Sequence, residues 1–99
     1  MGVKINFINP FGTDAYNGLI METMAPYLTG GAELVVSNTK NCPENIDYYY
    51  NKHLIEEAIF ESCIDAEKAG FDAVIVGCCY DPGVRVAREL VDIPVIGPL

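Results

Sequence analysis

Basic residues are scarce in this chain. Six lysines and arginines stand against fourteen aspartates and glutamates, which gives a formal net charge of −8 at pH 7 over 99 residues. A surface with this balance repels the phosphates of nucleic acids and anionic lipid headgroups, so we expect neither nucleic-acid nor membrane binding. Binding of an anionic substrate is not excluded, because the electrostatic potential of a local site can differ from that of the whole surface.

Long apolar runs, metal-binding motifs and phosphate-binding loops are missing as well. No apolar stretch approaches the ~18–20 residues that cross a bilayer, and the N-terminal segment has no signal-peptide pattern. The four cysteines lack C-x-x-C spacing and there is one histidine, which argues against a metal site. Neither usual Gly-rich phosphate loop occurs, so nucleotide binding has little support. We therefore expect a cytoplasmic protein whose cysteines are reduced.

Apolar residues make up 51% of the chain and recur in blocks that predict the order βαβαβαβ. The predicted strands are Val3–Ile8, Glu33–Ser37, Ala73–Val76 and Ile93–Ile96, with helices from about 14 to 28, 52 to 69 and 82 to 91. Such connections give right-handed crossovers and a parallel sheet with helices on both faces. The prediction is one α/β lobe over residues 1–99, a three-layer flavodoxin-like fold with strand order 2-1-3-4.

Helix starts are predicted from capping residues. Thr13 or Asp14 suits the N-cap of the first helix, and Asp81 the N-cap of the third, with Pro82 at its first position. The first helix carries an apolar stripe made of Tyr16, Leu19, Ile20, Met24, Tyr27 and Leu28.

Ligands of such sheets bind beyond the carboxyl ends of the strands, at the switch between the first and third strands. Cys78 and Cys79 follow a buried strand there, so either they carry chemistry or they fill a turn. A nearby helix N-terminus favours a thiolate, whereas the negative charge of Asp81 disfavours it. Asn9 and Thr13 either contact a ligand or form a turn and a helix cap.

Four further features carry weaker signals. Cys63 lies on the apolar face of a helix and is expected to be structural. Cys42 lies in a polar loop, and His53 is expected at the surface. The run Tyr48-Tyr49-Tyr50 is either a lid over a ligand or a packed loop.

One stretch of the sequence closely resembles the hydantoin racemase branch of the Asp/Glu racemase superfamily. It reads Gly77-Cys78-Cys79-Tyr80-Asp81-Pro82-Gly83, then Ala87-Arg88-Glu89-Leu90 and Ile93-Pro94-Val95-Ile96-Gly97. More modest matches are Ile8-Asn9-Pro10, Thr13, and the set Pro43, Ile46, Asp47 and Tyr50. Phe11 and Gly12 depart from the family's usual polar pair, Cys79 stands where an aromatic residue is usual, and Tyr80 where Gly is frequent.

The resemblance implies a cofactor-independent amino-acid or hydantoin racemase in which two thiols act as acid and base. It places the first catalytic thiol on Cys78 and substrate contacts on Asn9, Thr13, Cys79 and Tyr80, with no metal or organic cofactor. Family members have two such lobes, with the second thiol in the second lobe. We therefore expect this chain to be an N-terminal lobe that is inactive alone, acts on a small molecule and forms a homo-oligomer.

Two rival functions remain open. A decarboxylase or maleate-type isomerase of the same superfamily could work with one thiol, and the cysteines of the second lobe would separate these enzymes from a racemase. A small-molecule-binding or assembly module on the same scaffold would have an unreactive Cys78 and would not exchange the α-proton of a substrate with solvent.

Overall fold

Four parallel strands form one sheet in the order β2-β1-β3-β4 in the computed structural model, which describes residues 2–39, 42, 48–78 and 80–98. The elements in chain order are β1 Lys4–Asn9, α1 Asn17–Met24 with a 3₁₀ turn at Ala25–Tyr27, β2 Glu33–Asn38, α2 Tyr49–Lys68, β3 Ala73–Val76, α3 Val84–Leu90 and β4 Val95–Ile96. The predicted α/β lobe and its strand order are confirmed.

The core lies between the sheet and the pair α2 and α3. Alternate residues of β1, β3 and β4 point into it because side chains along a strand alternate between faces. The fully buried members from the sheet and α2 are Ile8, Val74, Val76, Ile55, Ile59 and Cys63. In α2 the buried positions recur every three or four residues, as expected of a helix with one apolar face.

The opposite face of the sheet is covered only in part by the described residues. There α1 packs against β2 and leaves a groove of about 230 Å³ lined by Phe7, Leu19, Ile20, Thr23 and Met24. Leu19 is 62% exposed and Ile96 is 48% exposed. Ile96 pairs with Ile75 and lies on this face. The apolar stripe predicted on the first helix therefore exists in sequence but is not buried: α1 has no buried residue.

Both predictions of helix starts from capping residues are wrong. α1 begins at Asn17 without a side-chain cap, because Thr13 Oγ1 instead accepts a hydrogen bond from the Ala15 N–H at 3.3 Å within the preceding turn. α3 begins at Val84, with Gly83 as its N-cap at φ 69°. Asp81 has φ 56°, a left-handed conformation that continues the turn instead of starting a helix.

Two other boundaries differ by two or three residues. α2 begins at Tyr49, three residues before the predicted start, and β4 contains only Val95 and Ile96. In the described ranges, no helix combines the length and the apolar composition that crossing a membrane requires.

The exposed apolar face generates a prediction about association. We expect the 99-residue chain to self-associate, because Leu19 and Ile96 expose large apolar surface on one side of the sheet. Sedimentation velocity should give a mass above that of the 10.8 kDa monomer. The double change Leu19→Ser with Ile96→Ser should shift the chain toward monomer.

The matched control is Val86→Ser, because Val86 is similarly exposed but lies on α3, across the sheet. A monomer for the unchanged chain, or equal effects of the double change and the control, would contradict the prediction.

Candidate active site

The carboxyl ends of β1, β2 and β3 lie side by side at one edge of the sheet. Asn9 pairs with Asn38 at the ends of β1 and β2, and Ile8 pairs with Val76 at the ends of β1 and β3. The Gly77 N–H donates to the Ile8 carbonyl at 2.9 Å, which continues this pairing one residue beyond β3. Cys78 thus begins its loop from a central strand, next to the strand end that carries Asn9.

Cys78 begins a tight turn. The Asp81 N–H donates to the Cys78 carbonyl at 3.0 Å, and the Cys78 N–H donates to the Val76 carbonyl at 3.0 Å. The left-handed backbone of Asp81 costs free energy for a residue with a side chain, and such strain persists where surrounding contacts enforce it. One such contact is the packing of the Asp81 carboxylate against Gly97, where a Cβ atom would collide with it.

The later start of α3 changes the electrostatics expected at Cys78. Val84, the first residue of α3, comes six positions after Cys78. The favourable field of a helix N-terminus falls off within about one turn, so α3 contributes less to a thiolate at Cys78 than the sequence suggested. The thiol itself is free and partly buried.

Tyr80 and Lys52 meet at the edge of the site. The Lys52 Nζ atom lies 5.0 Å from the ring centroid of Tyr80 and 5.0 Å from that of Tyr49. Partial burial raises the pKa of Tyr80 to about 12, with smaller contributions from the negative charges of ionised Cys78 and Glu56. The Tyr80 phenol therefore stays protonated at neutral pH and can donate a hydrogen bond.

A chain of amide hydrogen bonds holds the loop after β1. The Asn38 Nδ2 donates to the Thr13 carbonyl at 2.7 Å, and the Asn17 Nδ2 donates to Asn38 Oδ1 at 2.7 Å. Because a carbonyl can only accept, these two bonds fix the orientation of both side-chain amides. Thr13 is placed beside the end of β2 through its backbone.

The structure places some of the predicted site residues at one edge of the sheet, and others lie outside the described residues. Asn9, Thr13, Cys78 and Tyr80 all lie at the carboxyl edge, whereas Cys79 and the loop residues Pro43, Ile46 and Asp47 lie outside the described residues. Sequence reasoning missed Asn17 and Lys52, and it placed Asn38 and Thr39 at the ligand-binding strand ends without giving either an individual role. The signal for Asn38 and Thr39 was present, since both follow the predicted second strand.

Two other expectations concern side chains away from the turn. His53 is exposed and lies 3.8 Å from a Glu56 carboxylate oxygen on the same helix. Among residues 2–39, 42, 48–78 and 80–98, no three histidine, cysteine or acidic side chains group as metal ligands would.

The comparisons with known proteins agree with this architecture. The sequence profile of the Asp/Glu/Hydantoin racemase family matches residues 5–99. The chain belongs to this family. It is 33% identical over 95 residues to a hydantoin racemase from Pseudomonas sp. (strain NS671) and 27% identical to one from Rhizobium meliloti. Each alignment covers 96% of this chain but only about two fifths of the relative, 38% in the first case and 39% in the second.

Solved racemase structures share the fold. An allantoin racemase from Klebsiella pneumoniae superposes with a TM-score of 0.89 at 25% sequence identity, covering 96% of this chain and 39% of that one. An allantoin racemase from Pseudomonas fluorescens gives a TM-score of 0.81 at 23% identity, with 96% and 40% covered. The chain thus has the structure of one lobe of a longer racemase.

The cysteines of this racemase-family chain should differ in reactivity. Cys63 is fully buried, and burial raises its pKa from 9.0 to about 11, so at pH 8 it is a protonated, shielded thiol. Iodoacetamide reacts with thiolates, so at pH 8 it should modify the partly exposed Cys78 at least about ten-fold faster than Cys63. Mass spectrometry of the separated peptides measures both rates.

Denaturant provides the control for this measurement. It should bring the two rates close together, because unfolding exposes Cys63 and returns its pKa toward the ordinary value. Equal rates in the native protein would contradict the burial of Cys63.

Proposed function

We propose that Cys78 is one of two acid/base thiols of a cofactor-independent racemase that acts on a hydantoin or a related amino-acid derivative. The observation that carries the proposal is the position of Cys78, at the end of a central strand and beside Asn9 and Tyr80. The names of the relatives, hydantoin and allantoin racemase, support this class of substrate.

Inversion of a carbon next to a carbonyl requires a base on one face and an acid on the other. In one direction the Cys78 thiolate removes the α-proton, and the electron pair of the broken C–H bond moves toward the carbonyl oxygen. A second thiol, supplied from outside this chain, then protonates the carbon on its opposite face. Thiols suit both steps because a free thiol has a pKa of about 8.5, close to neutral pH.

The charge that develops on the carbonyl oxygen needs hydrogen-bond donors. Asn9 offers an unpaired side-chain N–H₂ group that is almost fully buried, and Tyr80 offers a protonated phenol. Donors held in place before the reaction stabilise such charge without reorganising. Thr13 and the backbone N–H near Cys79 complete the proposed substrate contacts, and no metal or organic cofactor takes part.

The proposal makes the isolated chain an incomplete enzyme. Cys78 serves one face of the substrate, so racemisation needs the second thiol of the complete protein or of a partner subunit. Both thiols must stay reduced, so the proposal includes a cytoplasmic location. It also includes a homo-oligomer of complete chains.

The test exchanges the two adjacent thiols in the complete protein. Cys78→Ala should abolish racemisation, and Cys78→Ser should lower it severely, because a hydroxyl is far less acidic than a thiol. Loss of optical rotation of an enantiopure 5-substituted hydantoin measures the reaction, together with α-deuterium incorporation in heavy water.

Cys79→Ala is the matched control and should keep most of the activity. The proposal gives Cys79 a backbone N–H contact only, so loss of its side chain leaves both acid/base thiols in place. Activity that survives in Cys78→Ala but disappears in Cys79→Ala would move the catalytic role by one residue. Full activity in both variants would overturn the proposal.

A further inference from the structure

Lys52 places a positive charge where it does not help its own helix. It is the fourth residue of α2, a helix whose first turn has no acidic residue and whose N-cap residue, Tyr48, makes no side-chain capping bond. The N-terminus of a helix carries a partial positive charge, so a lysine there is electrostatically unfavourable. The reason for a lysine at this position therefore lies in its contacts outside the helix.

The ammonium group of Lys52 lies between two aromatic rings. Its Nζ atom is 5.0 Å from the ring centroid of Tyr49 and 5.0 Å from that of Tyr80. Tyr49 precedes Lys52 by three residues on the same side of α2, whereas Tyr80 belongs to the turn after β3. A cation within about 6 Å of a ring centroid is attracted to the face of the ring. Lys52 thus connects the start of α2 to the turn that begins at Cys78.

The turn alone fixes the backbone of Tyr80 but not its side chain. The Asp81 N–H donates to the Cys78 carbonyl at 3.0 Å, and Tyr80 is the third residue of the turn that this bond closes. The χ1 angle of such a residue is set by what its side chain contacts. Tyr80 is 37% exposed, whereas Tyr27, in the turn after α1, is 77% exposed. The Tyr80 ring is therefore held partly buried, and Lys52 is one of the groups that hold it.

The hydroxyl of Tyr80 lies within electrostatic range of Cys78. Burial is the main cause of the raised pKa of Tyr80, and the negative charge of ionised Cys78 raises this pKa further. The interaction between two charges weakens with distance, so this effect requires the phenol oxygen to be near the sulfur atom. A protonated phenol in that position can donate a hydrogen bond to a carbonyl oxygen of a substrate bound at Cys78.

We propose that Lys52 is a positioning residue of the racemase reaction: it holds the Tyr80 ring so that the phenol hydroxyl stays beside Cys78. The inference rests on the proposed function, in which Tyr80 donates to the carbonyl oxygen on which charge develops. Lys52 acts through Tyr80 and does not itself touch the substrate. Without Lys52, the Tyr80 side chain divides its time between the site and solvent, so the donor is in place in a smaller fraction of the molecules.

The first test is kinetic and uses the complete protein. Lys52→Met removes the charge and keeps a flexible side chain. It should lower kcat about three-fold, the factor that corresponds to losing one partly exposed cation–π contact. KM should stay unchanged, because the phenol stabilises charge that is present only in the transition state. Lys52→Arg should keep most of kcat, because a guanidinium group also stacks on aromatic rings. Optical rotation of an enantiopure 5-substituted hydantoin measures the rates.

Lys4→Met is the matched control. The Lys4 Nζ atom lies 4.6 Å from the ring centroid of Phe71, and Lys4 begins β1, at the end of the sheet opposite to Cys78. The same chemical change there removes a similar contact away from the site, so kcat should stay unchanged. A loss as large as that of Lys52→Met would show a general effect of removing positive charge and would overturn the inference.

A double-mutant cycle tests whether Lys52 acts through the hydroxyl. Tyr80→Phe keeps the ring beside Lys52 but removes the donor, and it should lower kcat about 100-fold. In that background Lys52→Met should cause no further loss, because no hydroxyl remains to be positioned. A further three-fold or so loss in the Tyr80→Phe background, or a raised KM in Lys52→Met alone, would mean that Lys52 acts directly on the substrate. Either result would overturn the inference.

The orientation of Tyr80 can also be measured without any activity. In protein labelled with 3-fluorotyrosine, the ¹⁹F NMR signal of Tyr80 is the one that disappears in Tyr80→Phe. Broadening of this signal by a neutral gadolinium chelate reports the exposure of the ring. In Lys52→Met the broadening should rise toward that of Tyr27, the more exposed tyrosine, whereas Lys52→Arg and Lys4→Met should leave it unchanged.

This measurement separates the inference from the proposed function. Unchanged broadening in Lys52→Met, in a protein that racemises the hydantoin, would overturn the inference alone. Increased broadening in Lys52→Met, in a protein whose unchanged form does not racemise the hydantoin, would contradict the proposed function while confirming that Lys52 orients Tyr80.

Discussion

Ile8 and Val76 lie side by side on neighbouring strands with no exposed surface, and they pack in the same core as Ile55 and Ile59 of α2. This contact fixes the register of β1 against β3. A slip of one residue would turn Ile8 to the other face of the sheet and remove it from the core. The rest of the site depends on that register, because it sets Gly77, the residue before Cys78, level with Asn9.

Parallel strands bring residues that are distant in sequence to one edge of the sheet. Residues 9, 38 and 78 are far apart in sequence, yet all three come at or just beyond a carboxyl end, and these ends point the same way. The apolar core under α2 supports this edge without using any of its polar groups. Polar side chains at the edge are thus available to a ligand, and Lys52 brings a positive charge there in a chain with net charge −8.

The sequence predicts the sheet well because its signals are local. The apolar run Ala73–Val76 and the breaks around it define β3, and the helical spacing of Ile55, Ile59 and Cys63 defines the face of α2. The order 2-1-3-4 and the family follow from these elements and from the segment around Cys78. The catalytic role of Cys78 and the contacts of Asn9, Thr13, Cys79 and Tyr80 stay predictions.

Features that depend on distant contacts were not predictable from one sequence. Asp81-Pro82 is a typical helix start, but the left-handed backbone of Asp81 delays α3 to Val84. The partners of Asn38 depend on where α1 lies relative to β2. Likewise, Lys52 is an ordinary helix residue until the fold brings Tyr80 beside it.

The contact between Asp81 and Gly97 links two segments that a reader of the sequence would treat as independent. Gly97 follows β4, and Asp81 ends the turn that begins at Cys78. Any side chain at position 97 would enter the space of the Asp81 carboxylate. During divergence of the family, these two positions are therefore expected to covary: a larger residue at 97 requires a smaller one at 81, and a change at either alone disturbs the turn that carries Cys78.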